Sequence, residues 1–354
     1  MPNKPTGEPL EPGCCGSGPW RRGLGRRALL ACAALPATVA AAPAPYAPLP
    51  QKLVFQQVPD APIHYTIGHP AIPDQTNEGH TSNAGFVVTD EGVVVFDTLG
   101  TPSLGWAMLE EIRRVTDQPV RFVVASHYHA DHIYGLQAFR DHTDAVIVAQ
   151  REALEYTAPG NIDDEKAIPR LEQRRQALAP WVDANTRIVE PRLVFRTAAQ
   201  IRLGGKTFRL NYAGPAHSMS DMMMEVLPDR VLFAGDIVQN HRIPFMSSAV
   251  VNTGNWLHGL DDVASINPRF IIPGHGQTST DPRQAIAFTG DYIRYLRRVM
   301  GEAVANWTEF EAAYAAADWS RYQDVAAFAA INKGNAYRVF LEQEKASFAA
   351  SNKG

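Results

Sequence analysis

From Lys52 onward the chain alternates short β-prone apolar runs with stretches whose apolar positions recur at helical spacing. Leu53 to Val58, Ile63 to Ile67, Gly85 to Val88 and Val93 to Phe96 read as strands, separated by turn residues such as Asp90, Glu91 and Gly92. Thr101 and Pro102 then open a helix whose apolar positions Leu104, Met108, Ile112 and Val115 share one face. Arg121 to Ala125, apolar throughout after its arginine, reads as a fully buried strand that feeds into His127. A helix from His132 to Phe139, a strand at Val146 to Ala149 and a charged helical insertion over 151 to 190 come next. Leu193 to Thr197, Phe208 to Tyr212, Met222 to Leu227, Val231 to Phe233 and Phe270 to Ile272 form a second set of strands. Helical patterns at Trp256 to Ile266 and beyond Asp281 cover them, so the chain is a layered α/β protein. In the last part Ile293, Leu296, Met300 and Trp307 trace one helical face, and Thr308 with Glu311 has the spacing of a capping box.

The residues before Lys52 show another pattern. Arg21, Arg22, Arg26 and Arg27 precede an apolar, Ala-rich run from Ala28 to Ala42 that ends in small residues. A basic start, a short apolar stretch and a small-residue exit mark residues 1–41 as a secretory signal peptide, too short to span a membrane. The paired arginines resemble a twin-arginine leader, with an ordinary secretion leader as the alternative. Either places the mature chain in the periplasm or outside the cell, without stable membrane insertion. Residues 42–51 are Pro-rich and read as an extended linker. All three cysteines, Cys14, Cys15 and Cys32, lie in the leader, so the mature chain has no disulfide, thiolate ligand or cysteine nucleophile. The net charge is -4 over the whole chain, and removing the leader makes it more acidic, which argues against a nucleic-acid partner.

The chemistry sits where strands end. His127, Tyr128, His129, Ala130, Asp131 and His132 form an HxHxDH element directly after a buried strand. Four ligand-type side chains in six residues cannot share one helix face, but in a loop they can converge on two neighbouring cations. His217, Asp236 and His275 each come after a strand beside glycine, which lets the backbone turn sharply toward a site. Taken singly each could be a turn residue; together with HxHxDH they supply five histidines and two aspartates.

Asp97, HxHxDH at 127–132, His217, Asp236 and His275, in this order, resemble the metallo-β-lactamase-fold hydrolase superfamily over about residues 52–280. The resemblance implies a four-layer αβ/βα sandwich, here with a C-terminal helical extension over 281–354. It implies two zinc ions, one held by His127, His129 and His217 and the other by Asp131, His132 and His275, with Asp236 bridging. Asp97 would support the metal loop through hydrogen bonds. Asp131 and Asp236 would also orient a metal-activated hydroxide that attacks an ester, thioester, lactone or related bond of a small molecule. A carboxylate at 236, where β-lactamases of this fold carry Cys or Ser, resembles the glyoxalase II-like branch. The exported leader and the segments around His217 and His275 resemble exported zinc metallohydrolases of the quinoprotein-relay or sulfur-oxidation-associated type. The alternatives are a persulfide dioxygenase with one iron on a subset of these residues, and a metal-binding accessory protein without turnover. The loop with Asn240, His241, Arg242 and Phe245 and the segment His80 to Asn83 are the two candidates for the site mouth, with His241 and His80 as the candidate substrate residues. The C-terminal helices are expected to pack on the sandwich with a partial pocket role, a lid or homodimer surface that shapes the substrate pocket being the alternative.

Overall fold

The computed structural model describes residues 44–156 and 167–351. The expected leader, residues 1–41 with the three cysteines, lies outside the described residues, as do the start of the Pro-rich segment and part of the charged insertion. The described residues form one compact unit.

Among the described residues twelve strands make two sheets. In the first, β1 (Gln56–Gln57), β2 (Ile63–Thr66), β3 (Ala84–Thr89) and β4 (Gly92–Phe96) pair antiparallel, and β5 (Val120–Ala125), β6 (Val146–Gln150) and β7 (Leu193–Phe195) continue it in parallel. In the second, the antiparallel β8 (Ala198–Leu203), β9 (Lys206–Tyr212), β10 (Met222–Leu227) and β11 (Val231–Asn240) are joined by β12 (Phe270–Gly276), parallel to β11.

Side-chain alternation sorts the strands into layers. On β4, Val94 and Phe96 enter a core between the sheets, against Phe208, Leu210 and Phe233, while Val93 and Val95 face the first sheet's helices. Met222 and Met224 join the core between the sheets and Met223 the opposite face, so the methionine triplet is packing material. On the first sheet's outer face lie α1 (Pro102–Val115), α2 (Ala130–Ile133), α3 (Leu136–His142) and α4 (Ala167–Leu178). On the second lie α5 (Thr253–Ile266), α6 (Pro282–Ala305), α7 (Phe310–Ala316) and α8 (Phe328–Ser351). The result is the four-layer α/β sandwich with a C-terminal helical region.

Several local expectations change. The helix expected from His132 to Phe139 is two, because Gly135 interrupts it where a side chain would strike the Thr98 carbonyl and the backbone of Gly105 in α1. Strand β8 escaped notice because two alanines open it and only Ile201 of its six residues is buried. It turns into β9 through Gly204 and Gly205, both with positive φ, as a tight hairpin requires. The Thr308 and Glu311 capping box does not form: α7 begins after Glu309, with no side-chain cap. Trp307 leaves the apolar face of α6, because the helix ends at Ala305 and the indole turns outward, 86% exposed. The Pro-rich segment is irregular but seated, since the Tyr46 ring meets Trp106 and the Pro48 carbonyl accepts from the Trp181 indole. No helix among the described residues is long and apolar enough to cross a membrane.

Candidate metal centre

The site is built from the ends and bulges of four neighbouring strands. Strand β4 ends at Asp97, in the left-handed region with φ 59°. Its carboxylate accepts from the Ser126 backbone N–H at 2.7 Å through Oδ1, and from the Ser126 hydroxyl and His132 Nδ1, each at 2.8 Å, through Oδ2. One side chain thus ties the exit of β4 to the loop leaving β5. That loop carries His127 and His129, and α2 comes next with Asp131 and His132. The His132 carbonyl accepts from Thr98 through both its N–H and its hydroxyl, which fixes the loop from below.

His217 lies in the loop between β9 and β10, shaped by Asp221, which accepts from the N–H groups of Ala216 and Ser218 and from the Ser218 hydroxyl. Burial pushes the Asp221 carboxyl up to about 7 against the pull of these donors. Asp236 sits inside β11, where the pairing with β12 shifts register around Gly235. Gly235 has φ 51°, and a side chain there would press on Ser126, so the bulge brings β11 against the HxHxDH loop. His275 sits near the end of β12, and Asn83 holds that turn by donating from its amide to the carbonyls of Pro273 and Gly276.

Four histidines are anchored on Nδ1: His127 against the Ser126 hydroxyl, His132 against Asp97, His217 against the Phe245 carbonyl and His275 against the Thr81 carbonyl. Each anchor turns Nε2 into the cluster, as metal-ligating histidines are held by outer partners. His129 faces it with Nδ1, 2.8 Å from His217 Nε2. Asp236 is central, its carboxylate oxygens 3.2 Å from Nε2 of His132, His217 and His275. Asp131 Oδ2 lies 3.4 Å from His275 Nε2.

Three overlapping donor groups result, each with its atoms within 4.8 Å of one another: His127, His129 and His217; His127, His132 and Asp236; and Asp131, His132 and His275. All seven residues of the expected ligand set are therefore brought together. The donors fit divalent cations on their own terms. The fully buried Nε2 of His127 has no hydrogen-bond partner among the described residues. The Nε2 atoms of His132 and His275 face each other at 3.4 Å. Such an array of imidazoles and carboxylates suits zinc or iron. Its electrostatics point the same way: burial would raise the Asp236 carboxyl, but His275, His132 and His217 hold it well below its usual range. Burial alone would lower His132, yet Asp236, Asp97 and Asp131 hold it well above 6.5. Burial, reinforced by His132 and His129, pushes His127 well below the same value.

The cluster opens into a cavity of about 300 Å³. His129, Asp131, His217, Asp236 and His275 form part of its lining, and Tyr156, Phe245 and Ile331 give apolar wall. Arg170 and Arg174 from α4 and Arg242 from the loop after β11 add cationic groups. The two expected substrate histidines line it nowhere. His80 turns away into a separate cavity of about 180 Å³ with Lys52, His69 and Glu78, because its neighbour Thr81 takes the inward position beside His275 and Asp131. His241 is exposed, with φ 57°, and its ring lies 5.7 Å from Phe288. Arg242, in the same loop, is the residue that turns inward. Sequence reasoning passed over Ser126, Gln239 and the α4 arginines, with only the position of Ser126 beside the motif hinting at a role, while in the segment from His80 to Asn83 it is Thr81 that reaches the site.

The model of the metallo-beta-lactamase superfamily matches residues 78–275, and the chain belongs to that superfamily. A curated relative, the linear primary-alkylsulfatase of Pseudomonas sp. (strain ATCC 19151), is 20% identical over 233 residues, covering 58% of this chain and 44% of the relative. Among solved structures, the stereoselective inverting sec-alkylsulfatase from Pseudomonas sp. aligns with a TM-score of 0.61 at 17% identity, over 82% of this chain and 50% of that one. A double mutant of a sec-alkyl sulfatase gives the same values. At that identity the likeness concerns the fold, and this chain spans about half the length of these relatives. They are hydrolytic enzymes of the same fold.

Proposed function

We propose that the protein is a dinuclear zinc hydrolase that cleaves an ester bond of a small anionic molecule, with sulfuric monoesters as the first substrate class. The observation that carries this reading is the set of seven inward donors around Asp236 at the floor of an open cavity. When bound, two zinc ions supply Lewis acidity and bring the ionisation of water toward neutral pH. The chain's own residues do the rest. Asp97, Ser126, Thr81 and the Phe245 carbonyl hold the imidazoles in orientation before substrate arrives. Asp131, whose side chain is 16% exposed, presents a carboxylate oxygen beside the cavity that can accept a hydrogen bond from the attacking water. Asp236, deeper and nearly sealed, keeps its negative charge and balances the surrounding imidazoles. Burial would raise the Asp131 carboxyl, but His132 and His275 keep it ionised far below neutrality, so it is ready as an acceptor.

The sulfuric ester choice rests on the named activity of the relatives and on the arginines around the cavity. Thioesters and lactones, suggested by the carboxylate at 236, form the next substrates to test. The leader pattern supports an exported setting, periplasmic or secreted. The test combines metal analysis of protein purified without added metal with turnover on alkyl sulfates, carboxylic esters, thioesters and lactones. Two zinc ions per chain with alkyl sulfate turnover support the proposal. One iron per chain with oxygen consumption on a persulfide replaces it with the dioxygenase reading, and a loaded protein inert on every substrate leaves the accessory reading.

A further inference from the structure

Among the described residues Arg242 is the one arginine or lysine that is buried. It is 5% exposed, it lines the metal cavity together with Asp131, Asp236 and His275, and it makes no ion pair within 4 Å among the described residues. Its Nη1 donates to Gln239 Oε1 at 2.9 Å, and its Nε has no hydrogen-bond partner. The cost of burying an arginine charge is normally offset by a carboxylate, because an uncompensated interior charge is strongly destabilising. Here the carboxylates act from a distance, and the neighbour that touches the guanidinium is a neutral amide.

That amide is itself fixed. Gln239 is fully buried, its Nε2 donates to Asp236 Oδ2 at 3.0 Å, and its Oε1 accepts from Arg242. A carboxylate can only accept and a guanidinium can only donate, so one orientation of the amide satisfies both. The backbone of Gln239 is clamped by Thr289 of α6, whose hydroxyl accepts from the Gln239 N–H at 3.1 Å and donates to its carbonyl at 2.9 Å. On its other side Arg242 forms a β-bridge with Ala326, and Ile243 N–H donates to the Ala326 carbonyl. The guanidinium is thus held at a set distance from Asp236 by groups that make no other use of it.

We propose that Arg242, aligned by Gln239, is the anion-binding residue of the cavity, taking the oxygens of a sulfate head group beside the metal cluster. This inference rests on the reading of the site as a hydrolase for anionic esters and assigns the residue that recognises the charge. Arg242 contacts substrate; Gln239 acts through it as a positioning residue.

The test is binding of butanesulfonate, a mimic whose carbon–sulfur bond is not hydrolysed, to the zinc-loaded full chain by titration calorimetry at constant ionic strength. A charge-assisted hydrogen bond lost from a buried site should weaken binding of Arg242→Ala by about tenfold to a hundredfold. Arg242→Lys should recover part of the loss, since it restores the charge without the planar fork. Gln239→Met removes a partner of Asp236 as well as of Arg242, so it is compared at saturating zinc with its metal content measured, where it should weaken butanesulfonate binding with Arg242 itself still present. Arg242→Met guards against a folding failure: it removes a charge that has no ion-pair partner but strands the buried Gln239 Oε1, so its thermal midpoint without anion is measured first, and only the wild type should gain from added butanesulfonate. Wild-type affinity for butanesulfonate in folded, zinc-loaded Arg242→Ala overturns the inference. If that variant also hydrolyses neutral carboxylic esters like the wild type, the inference fails and the hydrolase reading stands. If Arg242 governs butanesulfonate binding but no ester is turned over, the hydrolase reading fails and the anion site stands.

Discussion

Replacing Asp97 by Asn keeps the volume of the side chain and reverses the proton arrangement behind two histidines. In the native site the carboxylate accepts from the Ser126 N–H at 2.7 Å, the Ser126 hydroxyl at 2.8 Å and His132 Nδ1 at 2.8 Å. An Asn can keep its oxygen on the Ser126 N–H, but its NH2 then faces the hydroxyl and the imidazole. His132 must turn Nδ1 into an acceptor, which moves its proton to Nε2, the atom aimed at Asp236 and His275. A protonated Nε2 cannot ligate a metal. The Ser126 hydroxyl, no longer able to donate to residue 97, can donate to His127 Nδ1 at 2.9 Å, where the same tautomer change occurs with smaller force. Loss of an outer partner of this kind weakens metal binding by about 10- to 100-fold, or about 1.4 to 2.7 kcal/mol. Competition against a chromophoric zinc chelator should show both equivalents weakened in Asp97→Asn, with the greater loss at the group containing His132. Wild-type affinity for both equivalents would refute the tautomer argument.

Three other perturbations probe different parts of the molecule. Asn335 of α8 is fully buried, donates to the Pro244 carbonyl at 2.6 Å and accepts from Met246 N–H at 2.9 Å, bracketing Phe245, whose carbonyl orients His217. Asn335→Leu strands two backbone groups and should cost about 3 kcal/mol in urea unfolding; a change below about 1 kcal/mol would contradict it. Burial, with some help from His69, pushes His80 down to about 4 from its ordinary 6.5. A histidine depressed in the folded state gives stability that is complete above pH 6.5 and lost as pH falls through about 4, at most about 3 kcal/mol. His80→Gln should therefore flatten the fall of the unfolding free energy between those values, and an unchanged slope would exclude His80 as its source. Chelation should lower the thermal midpoint, since a ligand held at a hundred times its dissociation constant stabilises by about 2.7 kcal/mol. An unmoved midpoint after complete metal removal would mean that the donors are already satisfied without a cation.

The donor set was legible in the sequence because it is local or marked: HxHxDH concentrates four ligand types in six residues, and His217, Asp236 and His275 each adjoin glycine at the end of an apolar run. The strands with continuous or alternating apolar character were legible for the same reason. What escaped was set by tertiary contact. The break at Gly135 comes from the approach of Thr98 and Gly105, and the extension of β11 past Phe233 comes from its bulged pairing with β12. His80 and Thr81 are adjacent and point to opposite sides, so sequence proximity to a core strand could not say which would face the site. Arg242 and Gln239 matter through one hydrogen bond to each other and one to Asp236, which no local pattern displays.

The parallel pairings explain why ligands so far apart in sequence meet at one place. Parallel neighbours present their carboxyl ends on the same edge, where ligands of open α/β sheets characteristically bind. Strands β4 and β5 are parallel in the first sheet, and they deliver Asp97 and the HxHxDH loop. Strands β11 and β12 are parallel in the second, and they deliver Asp236 and His275. The antiparallel strands β9 and β10 leave between them the loop that brings His217 to the same edge. Each donor group other than His127, His129 and His217 depends on Asp236 or His275 from the second sheet, and that group depends on His217. None of these three groups among the described residues is complete within the first sheet. The hydrogen bonds of Thr81 and Asn83 to the β12 turn join the sheets in the same way without a metal, so the edge of the sandwich is held in register before any ion arrives.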